Sequence, residues 1–366
     1  MYLNIAVLPG DGVGPEVTAE AVAALDAVCE VFGHTLSVTE KPIGGAGLDR
    51  ANDPLPADTL NTCLSAHAVL LGAVGGPAFD DVPKHLRPES GLLRLRSELG
   101  VFANLRPAVC YPGLEQCSPL REETVRGTDL LVVRELLGGI YFGKPRSTSG
   151  EPGQRLAVDT MSYGEDEIER IARVGFDLAR SRRKHVTSVD KANVLDCSRL
   201  WREVVTRVGK EYPDVRLDHS YVDSAAMALV ARPAQFDVIL TENMFGDILS
   251  DQAGGVVGSL GILASASVGG KVNLYEPVHG SAPDLAGKGR ANPIGAILSV
   301  ALMLRHSFQL EQEAAVVEGA VRSALSAGSR TGDLARVGEK SLSTVEMGTR
   351  IRSEILRHAA RRQAVS

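Results

Sequence analysis

The fold class follows from the stretch that reads IAVLPGDGVGPE at residues 5–16. The apolar residues 5–8 favour a strand, and Pro15 suits the first turn of a helix, where its missing N–H is not needed. Apolar residues then recur at helical spacing up to Phe32, and Gly33 ends the pattern. We therefore predict a strand, a glycine-rich turn and a helix whose apolar face packs on a sheet.

The same alternation of strand and helix continues along the chain. Further strands are predicted at residues 68–71, 129–133, 185–189 and 236–240, with helices at about 165–183 and 293–304. The helix at 293–304 is apolar nearly all round, with Asn292 as a plausible N-cap, so we expect it to be buried. Alternating strands and helices predict an α/β protein.

The glycines of residues 10–14 do not form a dinucleotide fingerprint. Pro15 occupies the position of the third glycine in the pattern G-x-G-x-x-G. A tight turn between strand and helix is the better interpretation, and an ordinary Rossmann site is not expected.

Composition narrows the class of protein further. The 366 residues, of which 44% are hydrophobic, allow a large core in two domains or in one large α/β unit. A net charge of −6 gives no broad basic field, so neither nucleic acid nor a membrane is expected as a partner. Five cysteines without C-x-x-C spacing fit reduced thiols, and hence a cytoplasmic protein, and no targeting or membrane-spanning segment is expected.

Two aspartates lie four residues apart in the segment NMFGDILSD at residues 243–251, directly after a predicted strand. On a helix, Asp247 and Asp251 share one face, where their charges repel and a divalent cation with oxygen ligands would bind. The alternative is that acidic residues at a helix start are favoured by the helix dipole, which explains one aspartate better than two. Spacing alone leaves both interpretations open.

Basic and aromatic side chains mark other candidate positions. Arg134 directly follows an apolar strand, and Arg96 and Arg106 lie in apolar segments; each could grip a carboxylate or form a surface ion pair. Lys191 ends another strand among apolar neighbours that suit a base, and Tyr141 is a candidate proton donor or a core aromatic. The loop HGSAPD at residues 279–284 would suit a nucleotide, although a plain connection is the alternative.

Taken together and in this order, these segments resemble the β-hydroxyacid oxidative decarboxylases, the family of isocitrate and 3-isopropylmalate dehydrogenases. The resemblance covers nearly the whole chain. It implies a two-domain, isocitrate/isopropylmalate dehydrogenase-like α/β fold with open sheets flanked by helices, and not a Rossmann fold. Residues 1–103 and 256–366 would form a first, NAD-binding domain, and residues 104–255 a second domain for dimerisation and substrate, with an arm near residues 143–160.

The resemblance also implies roles for individual residues. Lys191 and Tyr141 would be catalytic, and Asp223, Asp247 and Asp251 would hold one Mg²⁺ or Mn²⁺ per active site. The substrate would be bound by Arg96, Arg106, Arg134, Glu89, Leu92, Leu93, Val194 and Asp223. NAD would be bound by Gly76, Glu89, His279, Gly280, Ser281, Ala282, Asp284 and Asn292. In the family, active sites are shared across a homodimer, and Lys191, Val194 and Asp223 would reach into the partner's site.

The expected reaction is the oxidation and decarboxylation of 3-isopropylmalate to 4-methyl-2-oxopentanoate in leucine biosynthesis. Leu92, Leu93 and Val194 offer an apolar patch for the isopropyl group, and Glu89 would repel the third carboxylate of isocitrate. Asp284 would accept from a ribose diol and repel a 2′-phosphate, which favours NAD over NADP. The alternatives are a relative acting on isocitrate, homoisocitrate, tartrate or D-malate, and a catalytically silent regulatory homologue.

Overall fold

The chain divides into two compact units. The structure is a computed structural model that describes residues 1–336 and 338–363, without the side chains of 359–363. Residues 337 and 364–366, part of the range expected for the first domain, therefore lie outside the described residues. Unit 1 comprises Met1–Val101, Tyr111–Pro119 and the described residues from Val257 onward, and unit 2 comprises Phe102–Cys110 and Leu120–Val256.

Strands and helices alternate through both units. In chain order the strands are β1 (Tyr2–Gly10), β2 (Thr35–Glu40), β3 (Ala68–Ala73), β4 (Ala103–Val109), β5 (Asp129–Glu135), β6 (Ser147–Ser149), β7 (Leu156–Val158), β8 (His185–Asp190), β9 (Arg216–Tyr221), β10 (Val238–Thr241), β11 (Ala264–Val268) and β12 (Asn273–Pro277). The α-helices are α1 (Gly14–Phe32), α2 (Gly45–Ala51), α3 (Ala57–Ser65), α4 (Pro88–Leu99), α5 (Glu122–Val125), α6 (Glu165–Arg180), α7 (Asp196–Gly209), α8 (Val222–Ala231), α9 (Asn243–Val257), α10 (Ile294–Phe308), α11 (Glu311–Ser326) and α12 (Thr344–Gln363).

Unit 1 is built on strands in the order β2-β1-β3-β12-β11. β1 pairs in parallel with β2 and β3, and β12 pairs in parallel with β3 and antiparallel with β11. Every residue of β3 is buried, as in a strand that is covered on both faces of its sheet. The antiparallel pair departs from the all-parallel Rossmann arrangement, and the expectation of an α/β fold that is not a Rossmann fold is confirmed.

Helix α10 explains the long apolar run near the end of unit 1. It contacts β3, β11 and β12 as well as α1 and α11, so most of its residues are buried. The Asn292 side-chain oxygen accepts the N–H of Ile294 at 3.0 Å, which satisfies one of the free donors at the helix start. The predicted burial of this helix is confirmed.

Segment Tyr111–Pro119 belongs to unit 1 although the strands before and after it belong to unit 2. Arg330 donates to the Gly113 carbonyl at 2.8 Å, and Arg336 donates to the Gln116 side chain at 2.6 Å. Both arginines come from the C-terminal part of unit 1, so long-range contacts determine where this segment packs.

Unit 2 is built on strands in the order β4-β5-β10-β8-β9. β5, β10, β8 and β9 are parallel, and β4 is antiparallel to β5. Helix α6 packs on α7 and on the central strands, where Phe176 stacks on Tyr212 with ring centroids 4.9 Å apart. Strands β6 and β7 form a separate antiparallel hairpin whose residues are all exposed, within the range 143–160 expected to form an arm.

The strands predicted from the sequence are all observed, as β1, β3, β5, β8 and β10. Strands β2 and β9 gave no such signal because each stands at the end of its strand order and mixes polar with apolar residues. No helix in the described part of the chain has the length and apolar character needed to cross a membrane.

Replacing Ile297 with alanine tests the packing of α10. Ile297 is fully buried, so we expect Ile297→Ala to lower the free energy of unfolding by about 2–5 kcal/mol through lost burial and a cavity. Leu356→Ala, on an exposed face of α12, is the matched control and should change it by less than about 0.5 kcal/mol. Urea unfolding of both variants is the measurement, and equal losses would contradict the assignment of α10 to the core.

Candidate active site

The candidate site in unit 2 lies where β5 and β10 end side by side. The two strands are parallel and in register, with Arg134 opposite Thr241. The chain then turns at residues 136–141 after β5 and enters α9 two residues after Thr241. Side chains placed after these strand ends therefore meet at one edge of the sheet, the edge at which open α/β sheets bind ligands.

Arg134 is a buried charged residue of this site, with 2% of its surface exposed. Its Nε and Nη2 atoms donate to the Asn243 side-chain oxygen at 3.0 and 2.8 Å, and its Nη1 atom is paired with Asp247. Asn243, also fully buried, donates through its amide nitrogen to the carbonyls of Leu136 and Gly138. One asparagine thus joins the guanidinium, the turn after β5 and the start of α9.

Arg106, on β4, draws the two helix aspartates together. Its Nη1 atom lies 3.2 Å from Asp251 Oδ1 and 3.3 Å from Asp247 Oδ1, and it donates to the Ser250 hydroxyl at 2.8 Å. Both carboxylates reach one nitrogen because residues four apart on a helix share a face. Partial burial raises the pKa of Asp251, and the neighbouring charge of Asp247 adds to that effect.

Tyr141 completes this cluster from the turn after β5. Its hydroxyl donates to Asp247 Oδ2 at 3.1 Å, and its ring lies beside the Arg134 guanidinium, 5.8 Å from the ring centroid. Burial, followed by the negative charge of Asp247, raises the pKa of the Tyr141 hydroxyl. The phenol therefore stays protonated at neutral pH and can act as a proton donor.

The start of α9 is fixed by Glu242 and Tyr163, two buried residues for which the sequence suggested no role. Glu242 accepts the N–H groups of Met244 and Phe245 at 3.0 and 2.6 Å, and the Tyr163 hydroxyl accepts the N–H of Asn243 at 3.0 Å. These contacts satisfy the free donors at the helix start. The one available signal was the acidic Glu242 directly before segment 243–251, for which a helix was considered.

The turn that carries Tyr141 is held in a similar way by Glu135. Its carboxylate accepts the N–H groups of Leu137 and Gly138 at 3.1 and 2.7 Å, and burial raises its pKa. A side chain at Gly139, where φ is +74°, would lie 2.5 Å from the Tyr163 hydroxyl. The turn is thus shaped by buried groups and by the absence of a side chain at this glycine.

Lys191 and Asp223 form a separate pair in unit 2. Lys191, after β8, donates to Asp223 Oδ1 on α8 at 2.7 Å, and this hydrogen bond lowers the pKa of Asp223. The described partner of the ammonium is a carboxylate, whereas the sequence suggested apolar surroundings. Val194, also expected at the site, is 60% exposed.

The aspartates fit part of a cation site. Asp247 and Asp251 supply hard oxygen ligands, and both already converge on the Arg106 guanidinium. Two carboxylates directed at one positive group are also the arrangement that a divalent cation binds. Among residues 1–336 and 338–363, no three His, Cys, Asp or Glu side chains are grouped closely enough to hold a metal ion. Asp223 does not join the two helix aspartates within one described chain.

Several predicted substrate residues belong to unit 1. Arg96 is buried and donates to Glu276 on β12 at 2.6 Å, an ion pair within that unit. Glu89 is exposed in the first turn of α4, and Leu92 and Leu93 are half-buried on the same helix. The structure therefore brings Arg106 and Arg134 together in unit 2 and places Arg96 with Glu276 in unit 1.

The predicted NAD residues are spread over two loops and a helix start in unit 1. Gly76 follows β3, and residues 279–284 follow β12, with Ala282 in the left-handed region at φ +39°. His279 Nδ1 contacts the Gly280 carbonyl at 2.9 Å, while its buried Nε2 has no hydrogen-bond partner among the described residues. This orphaned nitrogen fits a polar ligand group, and burial lowers the pKa of the ring. The remaining predicted residues of the loop are Ser281, which is buried, and Asp284, which is exposed.

Known protein sequences match this chain over nearly its full length. A model of the isocitrate/isopropylmalate dehydrogenase family matches residues 4–351. The chain is 58% identical over 358 residues to the 3-isopropylmalate dehydrogenase of Geobacillus kaustophilus, covering 98% of this chain and 96% of that protein. It is 54% identical over 348 residues to the 3-isopropylmalate dehydrogenase of Aquifex aeolicus, covering 95% and 96%.

Solved structures of the same kind share the fold. Isocitrate dehydrogenase from Methylococcus capsulatus aligns with a TM-score of 0.85 at 35% identity, covering 96% of this chain and 98% of that one. A β-decarboxylating dehydrogenase from Thermococcus kodakarensis aligns with a TM-score of 0.77 at 36% identity, covering 98% and 97%.

Removing the Asn243 side chain tests its place at the centre of the site. We expect Asn243→Ala to lower the free energy of unfolding by about 1–3 kcal/mol, because buried donors of Arg134 lose their acceptor. Asn61→Ala, at an exposed position of α3, is the control and should change it by less than about 0.5 kcal/mol. Urea unfolding compares the two variants. An unchanged free energy of unfolding in Asn243→Ala would show that Arg134 does not depend on this amide.

Proposed function

The chain belongs to the isocitrate/isopropylmalate dehydrogenase family, and on that premise we propose that it oxidises and decarboxylates 3-isopropylmalate to 4-methyl-2-oxopentanoate, a step of leucine biosynthesis. The observation that carries this proposal is the 58% identity to a 3-isopropylmalate dehydrogenase over 98% of the chain. The family is one of metal- and NAD-dependent dehydrogenases that act on small molecules.

Substrate binding would depend on two arginines of unit 2, Arg106 in the middle of β4 and Arg134 near the end of β5. Arg106 and Arg134 are buried, and each is fixed by a neutral oxygen, from Ser250 and Asn243 respectively. Side chains held in this way present their charge to a dianion with little loss of conformational entropy. Arg96 would be the third arginine on the substrate, although its observed partner is Glu276.

Two bound groups would supply what this chain does not contain. We assign Mg²⁺ or Mn²⁺, one per site, to Asp247 and Asp251 with Asp223 as a third ligand, because carboxylates are the oxygen ligands such cations prefer. NAD supplies the hydride acceptor and the cation supplies positive charge beside the reacting oxygen.

The chain's own residues would move the protons. Lys191, as the neutral amine, would accept the proton of the C2 hydroxyl as the hydride leaves that carbon for NAD, which produces a 2-oxo acid with a carboxylate on the adjacent carbon. That carboxylate leaves as carbon dioxide, and its bonding electrons remain on C3. Tyr141, whose raised pKa keeps the phenol protonated, would then donate a proton to C3.

A shared site explains why Lys191 and Asp223 lie apart from the other candidate residues. We propose a homodimer in which Lys191, Val194 and Asp223 act at the partner's Asp247 and Asp251. Helices α8 and α9 are joined by the Gln252 side chain, which donates to the Ala226 carbonyl at 2.8 Å. They carry exposed apolar side chains, notably Met227 at 68% and Ile248 at 57% exposure, of the kind that an interface covers.

Selectivity would come from unit 1, which we propose as the NAD-binding domain, with unit 2 as the dimerisation and substrate domain. Leu92 and Leu93, with Val194, would contact the isopropyl group, and Glu89 would repel the third carboxylate of isocitrate. Asp284 is exposed and would accept from the adenosine ribose, which favours NAD over NADP. The remaining NAD contacts are assigned to Gly76, the loop from His279 to Ala282 and Asn292. A cytoplasmic location is proposed because the five cysteines, all of them described residues, form no disulfide.

A second candidate function is isocitrate oxidation. It is favoured by one observation, the TM-score of 0.85 to an isocitrate dehydrogenase, but the identity to that protein is only 35%. Homoisocitrate, tartrate and D-malate are further alternatives within the family. A silent regulatory homologue is disfavoured because Tyr141, Lys191 and all three aspartates are present.

A substrate comparison tests the proposed function directly. With NAD and Mg²⁺ or Mn²⁺, we expect NADH formation to be fastest with 3-isopropylmalate, because only that acid fills an apolar patch without adding a carboxylate near Glu89. Each missing apolar contact should cost about 1–3 kcal/mol in kcat/KM. A chelator should abolish activity, and added metal should restore it.

The competing acids serve as the controls. Isocitrate, homoisocitrate, tartrate and D-malate are assayed in parallel at matched concentrations. Faster turnover of any of them would replace the substrate assigned here. Binding of NAD without turnover of any acid would favour the regulatory alternative.

Replacing Lys191 tests the proposed base. Methionine keeps the length of the side chain but cannot accept a proton, so we expect Lys191→Met to lower kcat by about 10²–10⁴-fold. Lys210→Met, at an exposed position after α7, is the matched control and should keep wild-type activity. Near-normal kcat in Lys191→Met would remove this lysine from the mechanism.

A further inference from the structure

The glycine-rich turn between β1 and α1 contains an acidic side chain with no role in the reaction described above. Gly10 and Gly12 have positive φ values of 72° and 60°. A side chain at Gly10 would lie 1.9 Å from the Ala73 carbonyl oxygen, and one at Gly12 would lie 2.0 Å from that of Ser281. The turn therefore packs closely against the end of β3 and against the loop after β12. Asp11 lies between Gly10 and Gly12, the two residues that make these contacts.

The Asp11 carboxylate accepts hydrogen bonds from the backbone at the start of helix α2 and from the segment after β3. Its Oδ2 atom accepts the N–H of Gly45 at 2.9 Å and that of Gly75 at 2.8 Å, and its Oδ1 atom accepts the N–H of Ala46 at 3.0 Å. The chain separations are 34, 64 and 35 residues. Charged acceptors form the stronger class of hydrogen bond, so one side chain fixes the start of α2 and the segment after β3, which are far apart in the sequence.

The glycines around the Asp11 carboxylate leave room for it only because they have no side chains. A side chain at Gly44 would lie 2.4 Å from Asp11 Oδ2, and one at Gly45 would lie 2.9 Å from Asp11 Oδ1. The Asp11 backbone N–H also donates to the Ala73 carbonyl at 2.8 Å, just before Gly75. Main chain and side chain of Asp11 thus both hold the segment that follows β3.

Gly75, which donates to Asp11, also lies beside Glu89, the residue to which we assign substrate selectivity. Gly75 has a φ of +101°, and a side chain there would lie 2.6 Å from Glu89 Oε1. The Glu89 carboxylate therefore lies beside Gly75, next to Gly76, which is assigned to NAD. A shift of this backbone would move Gly76 and change the surface beside the Glu89 carboxylate.

We infer that Asp11 is a positioning residue, whose carboxylate fixes the backbone at Gly75 and Gly76 and, through it, the Glu89 carboxylate that selects substrate and cofactor. This inference rests on the proposed function for the roles of Gly76 and Glu89. We call the three hydrogen bonds from Gly45, Ala46 and Gly75 to Asp11 the Asp11 brace. The glycine-rich motif, which superficially resembles a dinucleotide fingerprint, would thus support the segment at Gly75 and Gly76 from within unit 1.

Amide hydrogen exchange on the ligand-free protein tests the brace without reference to activity. We expect Asp11→Ala to speed exchange at Gly45, Ala46 and Gly75 by about tenfold or more, because their N–H groups lose a charged acceptor. Asp11→Asn keeps the size and one accepting oxygen and should give a smaller increase. Asp49→Asn removes an equal charge at a nearby exposed position and should leave these amides unchanged. Unchanged exchange in Asp11→Asn and Asp11→Ala would overturn the inference.

Kinetics and NAD binding test whether the brace serves the site. In Asp11→Asn we expect the dissociation constant and KM for NAD to rise about tenfold, and the preference for 3-isopropylmalate over isocitrate to fall, with kcat changed by less than about threefold. Faster exchange without these changes, or a fall in kcat alone, would overturn the inference. If the wild-type protein binds NAD but turns over none of the acids, the proposed function fails while exchange and NAD binding still decide the role of Asp11.

Discussion

The candidate site depends on a buried guanidinium that must have acceptors. Arg134 stands at the end of β5 with almost no exposed surface, and burying an unpaired charge there would be strongly unfavourable. Its acceptors are Asn243 and Asp247, which lie at the start of α9 beyond the neighbouring strand β10. Satisfying one arginine therefore fixes the end of β5 relative to the start of α9, and the turn that carries Tyr141 is attached to the same asparagine.

The same cluster is balanced in charge. Arg106 and Arg134 contribute two positive charges, and Asp247 and Asp251 contribute two negative ones. A divalent cation and a dianionic substrate, bound together, would leave this balance unchanged, whereas either alone would disturb it. For the function proposed above, this is a physical reason to expect the metal and the substrate to bind together. In unit 1 a single carboxylate, that of Asp11, accepts backbone N–H groups from the start of α2 and from the segment after β3.

Local sequence was sufficient for much of the fold and for the candidate residues. Periodicity alone predicted β1, β3, β5, β8 and β10 and the buried helix α10, because burial imposes a repeat that depends only on neighbouring positions. The order of the motifs identified the family, which the comparisons show. The spacing of Asp247 and Asp251 placed both carboxylates on one helix face, as their shared contact with Arg106 requires.

Which side chains contact one another was decided by the tertiary structure. Arg134 and Asn243 are 109 positions apart, and no local pattern relates them, because contacts across a sheet depend on strand order and register. For the same reason Glu135 and Tyr163 carried no recognisable signal, and Tyr111–Pro119 gave no sign that it packs with unit 1. The sequence by itself thus determined which elements form and which side chains can do chemistry. Only the folded chain determined which of them meet, since that depends on which buried polar groups satisfy one another.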